Sequence, residues 1–345
     1  GYSLKLNSAN ELYVTGGTAS SNLAVDAGAI FPTYGGGSAD GYLFRISNDG
    51  STIINSSYIG TSSYDQSYFV EVDDEDAVYL YGQSTGSYPV TGGAYFNLNG
   101  KQFIQKLTPD ITTSIYSTVF GSGSANINIS PTAFLVDVCK RVFVSGWGGS
   151  TNNSWNSSTG NTSGLATTID GEQTTTDGSD FYFMVLEEDA TALLYGSYFG
   201  GNGIAEHVDG GTSRFNDNGV IHQAVCAGCG SSNAFPTTPG VVSNINGNSC
   251  NLGVIKLDLE ISAVQVDITG GGSQTGCAPF DVDFEADLVN ATDFIWYFGD
   301  GDSANVQNPS HTYANPGVYE VMLIGTDTAF CTGETFTDTS ITIIT

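Results

Sequence analysis

The chain has 345 residues, room for two or three domains, and 40% of them are hydrophobic, enough for packed cores. Eight Lys and Arg stand against 36 Asp and Glu, a formal charge of −28, and a field of that sign turns away nucleic acid and anionic lipid. No apolar stretch is long enough to cross a bilayer and no secretory leader is visible, so direct membrane insertion is not expected.

Forty-five glycines against nine prolines, with abundant Tyr, Val, Ile and Phe among Ser, Thr and Asn, predict an all-β chain with many tight turns. No window of ten residues carries a helical apolar period. Gly1-Tyr2-Ser3-Leu4 enters already in strand pattern, which reads as a piece of a longer processed chain.

From there the first 260 or so residues repeat themselves. An alternating strand ending at glycine recurs as ELYVTGGTASSN (11–22), AVYLYGQSTGSY (77–88), RVFVSGWGGSTN (141–152) and VIHQAVCAGCGSSN (220–233). A Gly/Pro-containing turn follows it: GAIFPTYGGG (28–37), GAYFNLNG (93–100) and PTTPGVVSNING (236–247). A third element comes next, as DGYLFRISNDGS (40–51), KQFIQKLTPD (101–110), DFYFMVLEEDAT (180–191) and LGVIKLDLE (252–260). A fourth closes the first three copies: INSSYIGTSS (54–63), SIYSTVFGSGS (114–124) and LLYGSYFGGNG (193–203). Tyr42, Phe44 and Ile46 alternate with Leu43, Arg45 and Ser47, as a strand between two environments requires. Self-similarity at four short strands per copy is the pattern of a propeller blade. Residues 1–10 match the strand that precedes an ELYVTGG-type strand, seen again within 68–82 and 133–146. Either they close the last blade or further blades lie upstream. Residues 149–179 are a polar insertion in the third copy, with Trp155, Leu165 and Ile169 as candidate anchors.

These repeats resemble a family of β-propeller repeats found in Bacteroidota surface proteins. CKRVFVSGWGG, IHQAVCAGCGSSNAFPTTPG and SCNLGVIKLDLE, within 139–260, are similar to the region that precedes PKD domains in surface proteins of the gliding-motility-associated C-terminal-domain type. Residues 294–327 resemble the core of a PKD domain, an immunoglobulin-like β-sandwich. Trp296, Phe298-Gly299-Asp300-Gly301, Asn308 to Tyr313 and Pro316 to Tyr319 carry that likeness. The expected organisation is a propeller-like repeat domain over 1–262, a joint over 263–273 and a PKD-like sandwich over 274–345.

Six cysteines on a chain that reads as exported point to disulfides. For Cys139, Cys226, Cys229 and Cys250 the expectation is two bridges, with Cys226 and Cys229 each pairing outward, one to Cys139 and one to Cys250, which to which being open. A zinc site of Cys226, Cys229, Cys250 and His222 is a second reading. A redox pair in Cys226-Ala-Gly-Cys229 is a third, though no helix is predicted to follow it. The PKD resemblance implies a Cys277–Cys331 bridge.

Catalysis has little support. His207, His222 and His311 are the three histidines, and neither a nucleophile elbow nor a zincin motif occurs. No cofactor is expected. Calcium is the ion best suited to the carboxylates at Asp73, Asp74, Glu75 and Asp76 and at Asp300 and Asp302, although a solvated turn explains the first and a hairpin-turn role the second. Asp302-Ser303-Ala304 and Asp327-Thr328-Ala329 resemble Bacteroidota O-glycosylation sites, at Ser303 and Thr328.

The resemblance implies a non-catalytic extracellular protein of the cell surface, adhesive or structural, exported by the type IX system. Its propeller would present a binding surface to polysaccharide or other surface proteins, and the PKD domain would act as a spacer. Self-assembly and contacts with neighbouring domains of a longer chain are further expectations. Two alternatives stand beside this: a carbohydrate-active enzyme with a propeller catalytic domain, and a subunit of an extracellular fibre or assembly.

Overall fold

A computed structural model describes residues 1–345 except 150–159, 209–210, 217–218, 230–231, 248, 260–264, 272–273, 290, 292, 328–333 and 345; for 229, 265, 289, 327 and 334–344 the backbone alone is described. The described residues contain strands, turns and one 3-10 turn at Glu188–Ala190, and no α-helix. The chain divides into two compact units, Gly1–Leu259 and Glu260–Thr345.

Four sheets follow one another in the first unit. The first joins β1 (Ser3–Leu6), β2 (Leu12–Thr18), β3 (Asp40–Ile46) and β4 (Ile53–Ile59). The second joins β5 (Asp65–Val72), β6 (Val78–Ser84), β7 (Gln102–Leu107) and β8 (Ser114–Phe120). The third joins β9 (Ser130–Val136), β10 (Val142–Trp147), β11 (Phe181–Leu186) and β12 (Leu193–Phe199). All three are antiparallel meanders. In the fourth, β13 (Ala205–His207) and β14 (Ser213–Phe215) lie along one edge of β15 (Ile221–Cys229) and β16 (Asn251–Leu257) along the other. The first strand of that sheet is therefore split in two. Residues 1–10 do supply the strand before the ELYVTGG element: Ser3 of β1 sits opposite Thr15 of β2.

Each sheet packs on the next, β5 against β1 to β3, β9 against β5 and β6, and β14 against β9. This succession of small four-stranded antiparallel sheets is the coarser part of the propeller-like expectation, and no closed propeller is formed among the described residues. The succession explains why the middle strands are apolar on both faces, since a sheet lying between two others has no face left for water. β6, β7, β10 and β11 are buried along their whole length. Alternate residues of β6 go to different cores: Val78 and Leu80 pack with Tyr13, Leu43 and Phe103, whereas Tyr79 and Tyr81 pack with Phe120, Phe134 and Tyr182. Side chains also bond across the sheet boundaries, Tyr13 Oη to the Pro109 carbonyl at 2.6 Å and Gln223 Nε2 to Ser145 Oγ at 2.8 Å.

The long connections after β2, β6 and β10 fold back along the fourth strand of their own sheets. Tyr58 N–H donates to Phe31 O, Thr91 N–H to Ser117 O, Asn97 N–H to Val119 O and Thr168 N–H to Gly196 O. The repeated Gly/Pro turn is thus an edge cover, which removes the free row of backbone groups that an edge strand presents. In the insertion Leu165 is buried, Ile169 is fully exposed, and Trp155 lies outside the described residues.

The second unit is a sandwich of β17 (Gln265–Gly270), β18 (Thr275–Gly276), β19 (Phe280–Asp283), β20 (Glu285–Val289), β21 (Asp293–Tyr297), β22 (Ser303–Ala304), β23 (Ser310–Tyr313), β24 (Gly317–Asp327) and β25 (Glu334–Ile344). Its largest sheet runs β18-β25-β24-β21-β22, with β17–β20 and β19–β23 as pairs. β17 falls in the segment read as a joint and pairs with β20, so that segment contributes a strand to the sandwich. Trp296, Tyr313, Val321 and Leu323 are fully buried at the centre, with Phe284 and Phe298 against them.

Candidate functional site

Two features of the first unit recur or stand open to ligand. One is the turn from each sheet to the next. After β4, Gly60 turns the chain and Asp65, opening β5, reaches back: its Oδ2 accepts from Thr61 N at 2.7 Å and from Thr61 Oγ1 at 2.8 Å. After β8, Asn128 Oδ1 accepts from Ser122 N at 2.9 Å. After β12, Glu206 Oε1 accepts from Gly201 N at 2.9 Å. The first and third turns also meet the residue that opens the third repeat element of the sheet just left, Asp40 and Asp180, a register place that Lys101 holds in the second sheet. Asp65 N donates to Ala39 O at 2.8 Å, next to Asp40. A Cβ on Gly200 would stand 2.1 Å from Asp180 Oδ1 and would displace that carboxyl.

The first and third turns each bring two carboxyl groups out of water. Asp40, Asp65, Asp180 and Glu206 are at most 1% exposed. Burial, only partly offset by the Gly35 N–H, pushes the Asp40 carboxyl up to about 6, with Asp65 adding to the rise. Burial likewise pushes Glu206 up to about 8, with Asp180 and Asp177 adding to it. Asp65 and Asp180 are also raised, first by burial. Such groups ordinarily mark active sites. Here they have no surface from which to reach a substrate.

The second feature is a cleft of about 670 Å³ beside the first of these turns. Thr61, Ser62 and Ser63 form one wall, and Thr85, Tyr88 and Lys101 are among the residues of the other. Lys101 Nζ is held by the Thr85 carbonyl at 2.9 Å. Phe96 and Leu98 also line it and are 51% and 75% exposed. Hydroxyls, backbone amides and an accessible aromatic ring therefore share one concave surface, and no Asp or Glu lines it.

The carboxylates expected to suit calcium have other partners. Asp73 Oδ1 accepts from the N–H groups of Glu75 and Ala77, and its Oδ2 accepts from Tyr79 Oη at 3.0 Å. Asp76 takes the Ser8 N–H and hydroxyl, which hold its carboxyl below the usual range. Glu75 pairs with Lys140 at 2.9 Å and Asp74 lies 3.9 Å from the same ammonium. The four carboxylates diverge and brace a turn.

In the sandwich, Asp300, Asp302 and His311 do come together, the one such group among the described residues. Asp300 Oδ2 lies 2.7 Å from His311 Nε2, and Asp300 Oδ1 accepts from Asp302 N at 3.1 Å. The His311 ring lies flat on Phe298, with centroids 4.1 Å apart, and meets the edge of Tyr313. Gly299 and Gly301 adopt the positive φ this turn needs. The Asp300 carboxylate and the His311 ring are thus tied into the hairpin.

Cys139 and Cys250 each take part in a disulfide. Cys226 is half-buried in β15, opposite Leu252, and His222 is exposed on the same strand, opposite Lys256. The Cys229 side chain lies outside the described residues, as does Cys331, while Cys277 is exposed. Ser303 is exposed in β22, and Thr328 lies outside the described residues.

Sequence reasoning passed over Asp40, Asp65 and Glu206, and gave Asp180 no buried partner. A signal existed: an acidic residue opens DGYLFRI and DFYFMVL, and another stands a few residues beyond the glycine that ends the fourth repeat element. In so acidic a chain neither stands out singly.

Residues 266–342 match the PKD domain family. No curated protein sequence matches the chain. Among solved structures, the extracellular domain of a hybrid two-component system from B. thetaiotaomicron is similar at 12% identity and a TM-score of 0.21, over 99% of this chain and 37% of that one. A structure described under Dscam isoform specificity is similar at 8% identity and a TM-score of 0.24, over 100% and 97% of the two chains. TM-scores at this level establish no common fold. The conclusion the matches carry is that the chain is an all-β protein whose C-terminal unit contains a PKD domain.

Proposed function

We propose that the chain is a non-catalytic extracellular protein of a bacterial cell surface, whose repeat unit binds a neutral polysaccharide and whose PKD sandwich acts as a spacer. The cleft beside Thr61 carries this reading. Its hydroxyl and amide walls suit the hydroxyls of a sugar, and Phe96 offers the ring face on which a pyranose can lie. A formal charge of −28 disfavours polyanionic ligands and leaves neutral ones unaffected. Glycoside hydrolysis needs two carboxyl groups flanking the bond, and the cleft has none. The acidic pairs with raised pKa lie in the sheet-to-sheet turns, buried.

The blade-like repeats, the fit to a propeller closed by other segments and the gliding-motility type of surface protein belong to the same proposal. A panel of soluble neutral and acidic polysaccharides, tested by affinity electrophoresis with reducing-end release followed in parallel, tests it. The reading predicts retardation by a neutral polysaccharide with no new reducing ends. Turnover abolished by a single Asp or Glu substitution would make the protein an enzyme instead.

A further inference from the structure

We propose that the two acid-lined turns, Asp40 with Asp65 and Asp180 with Glu206, are proton-dependent locks between neighbouring sheets, closed while a carboxyl of each pair keeps its proton and loosened as the pair ionises. The inference goes beyond polysaccharide binding and does not depend on it.

In the middle turn Asn128 makes the same bond that Asp65 and Glu206 make, while the register place of Asp40 and Asp180 is held by Lys101, whose ammonium bonds the Thr85 carbonyl at 2.9 Å. An uncharged side chain therefore suffices for the bond to the turn. A protonated carboxyl resembles an amide in offering an accepting oxygen beside a donor, whereas two carboxylates offer acceptors only.

The surroundings agree. Asp40 Oδ1, Asp65 Oδ1, Asp180 Oδ1 and Glu206 Oε2 are enclosed and have no protein hydrogen-bond partner. Two like charges so placed oppose each other in a medium that solvates them poorly. The groups facing Asp40 and Asp65 are Tyr34, Tyr88, Ser84 and Thr61, with Lys101 favouring the ionised form of Asp65. Asp177, Thr176 and Gln173 face Asp180, and Asp177 also faces Glu206. His207 follows Glu206 on β13, its ring 5.8 Å from Trp147.

The sign follows from linkage. A carboxyl whose folded pKa is raised holds its proton in the folded state after the unfolded chain has released it, so stability falls as pH rises. For Asp40 the loss runs from 3.8 to about 6, and for Glu206 from 4.5 to about 8. Above those values it levels off.

The test is thermal unfolding of the whole chain from about pH 4 to about pH 9 in about 1 M salt, where screening acts within about 3 Å and mutes the overall charge. Wild type should lose several degrees of Tm across this window. Glu206→Gln and Asp65→Asn should each flatten the loss, and Asn128→Asp should steepen it. A potentiometric comparison of native and urea-unfolded wild type serves if a variant does not fold: the native chain should hold more protons near pH 6. Equal proton binding in both states overturns the proposal. So do parallel pH profiles for wild type, Glu206→Gln and Asn128→Asp. So does a calcium-dependent rise in Tm that EDTA reverses and Glu206→Gln abolishes, because the ionised pair would then be the working form.

Discussion

Asp65 and Glu206 occupy the same place in two different turns, each reaching back to a backbone N–H just past the glycine that ends a sheet: Thr61 at 2.7 Å for one, Gly201 at 2.9 Å for the other. The internal repetition thus extends from strand order down to single hydrogen bonds. A substitution in one repeat has a natural control in the next.

Glycine in the second strand of each sheet is a packing requirement. A Cβ on Gly82 would lie 2.2 Å from the Gln66 carbonyl oxygen and 2.5 Å from the Phe103 ring, neither of which can move without disturbing β5 or the core. Gly82→Ala should cost about 1–3 kcal/mol in urea unfolding. Gly28→Ala, with nothing within 4 Å of the added carbon, should be neutral or slightly stabilising.

Lys106 ties the second sheet to the third. Its ammonium lies 3.6 Å from Asp73 and 3.3 Å from Asp189, and 5.0 Å from the centre of the Tyr79 ring. The Asp73 side chain is only 2% exposed, so removing the cation leaves a buried carboxylate without its counter-charge. Lys106→Met should destabilise the first unit by about 3 kcal/mol, measured by denaturant unfolding. Asp189→Asn, at the half-exposed partner, should cost well under about 1 kcal/mol.

Tyr81 offers the opposite case. Its ring is fully buried among Phe69, Phe120 and Phe134, and its hydroxyl has no protein partner. Tyr81→Phe removes a polar group that folding takes out of water, so stability should be unchanged or should rise by about 1 kcal/mol. A large loss in the same unfolding assay would mean that the hydroxyl is satisfied.

The sandwich should respond to pH in the reverse sense from the acid-lined turns. Burial works to raise the Asp300 carboxyl, yet the bonds from His311 and from Asp302 N–H outweigh it and hold Asp300 below its ordinary 3.8. Stability from this source is present above pH 3.8 and lost as pH falls through the lower folded value. The unfolding transition of the second unit should therefore weaken at strongly acidic pH, and Asp300→Asn should remove that trend. Calorimetry resolving two transitions checks it.

Much of this architecture was legible in the sequence because both strand alternation and repetition leave direct marks. Tyr42-Phe44 against Leu43-Arg45 gave a strand, and four copies of a glycine-ended strand gave four sheets. The splitting of the fourth sheet's first strand was not legible, because residues 204–216 carry no repeat signal of their own. Nor was β17, since the glycines at 270–272 that suggested a joint lie at the end of a paired strand. The carboxylate run at 73–76 drew the eye by local density, yet its members turn to Tyr79, Lys140 and Ser8. The buried pairs escaped notice because their members are 25 or 26 residues apart and meet only when one sheet packs on the next.

Polysaccharide binding in the cleft is tested most directly by equilibrium titration of wild type and Phe96→Ala with the neutral polysaccharide that retards the protein. Loss of the exposed ring should weaken binding by about tenfold, which is about 1.4 kcal/mol, while the unfolding profile stays as in wild type and no reducing ends appear. Unchanged affinity in Phe96→Ala, or cleavage of the bound polysaccharide, would contradict it.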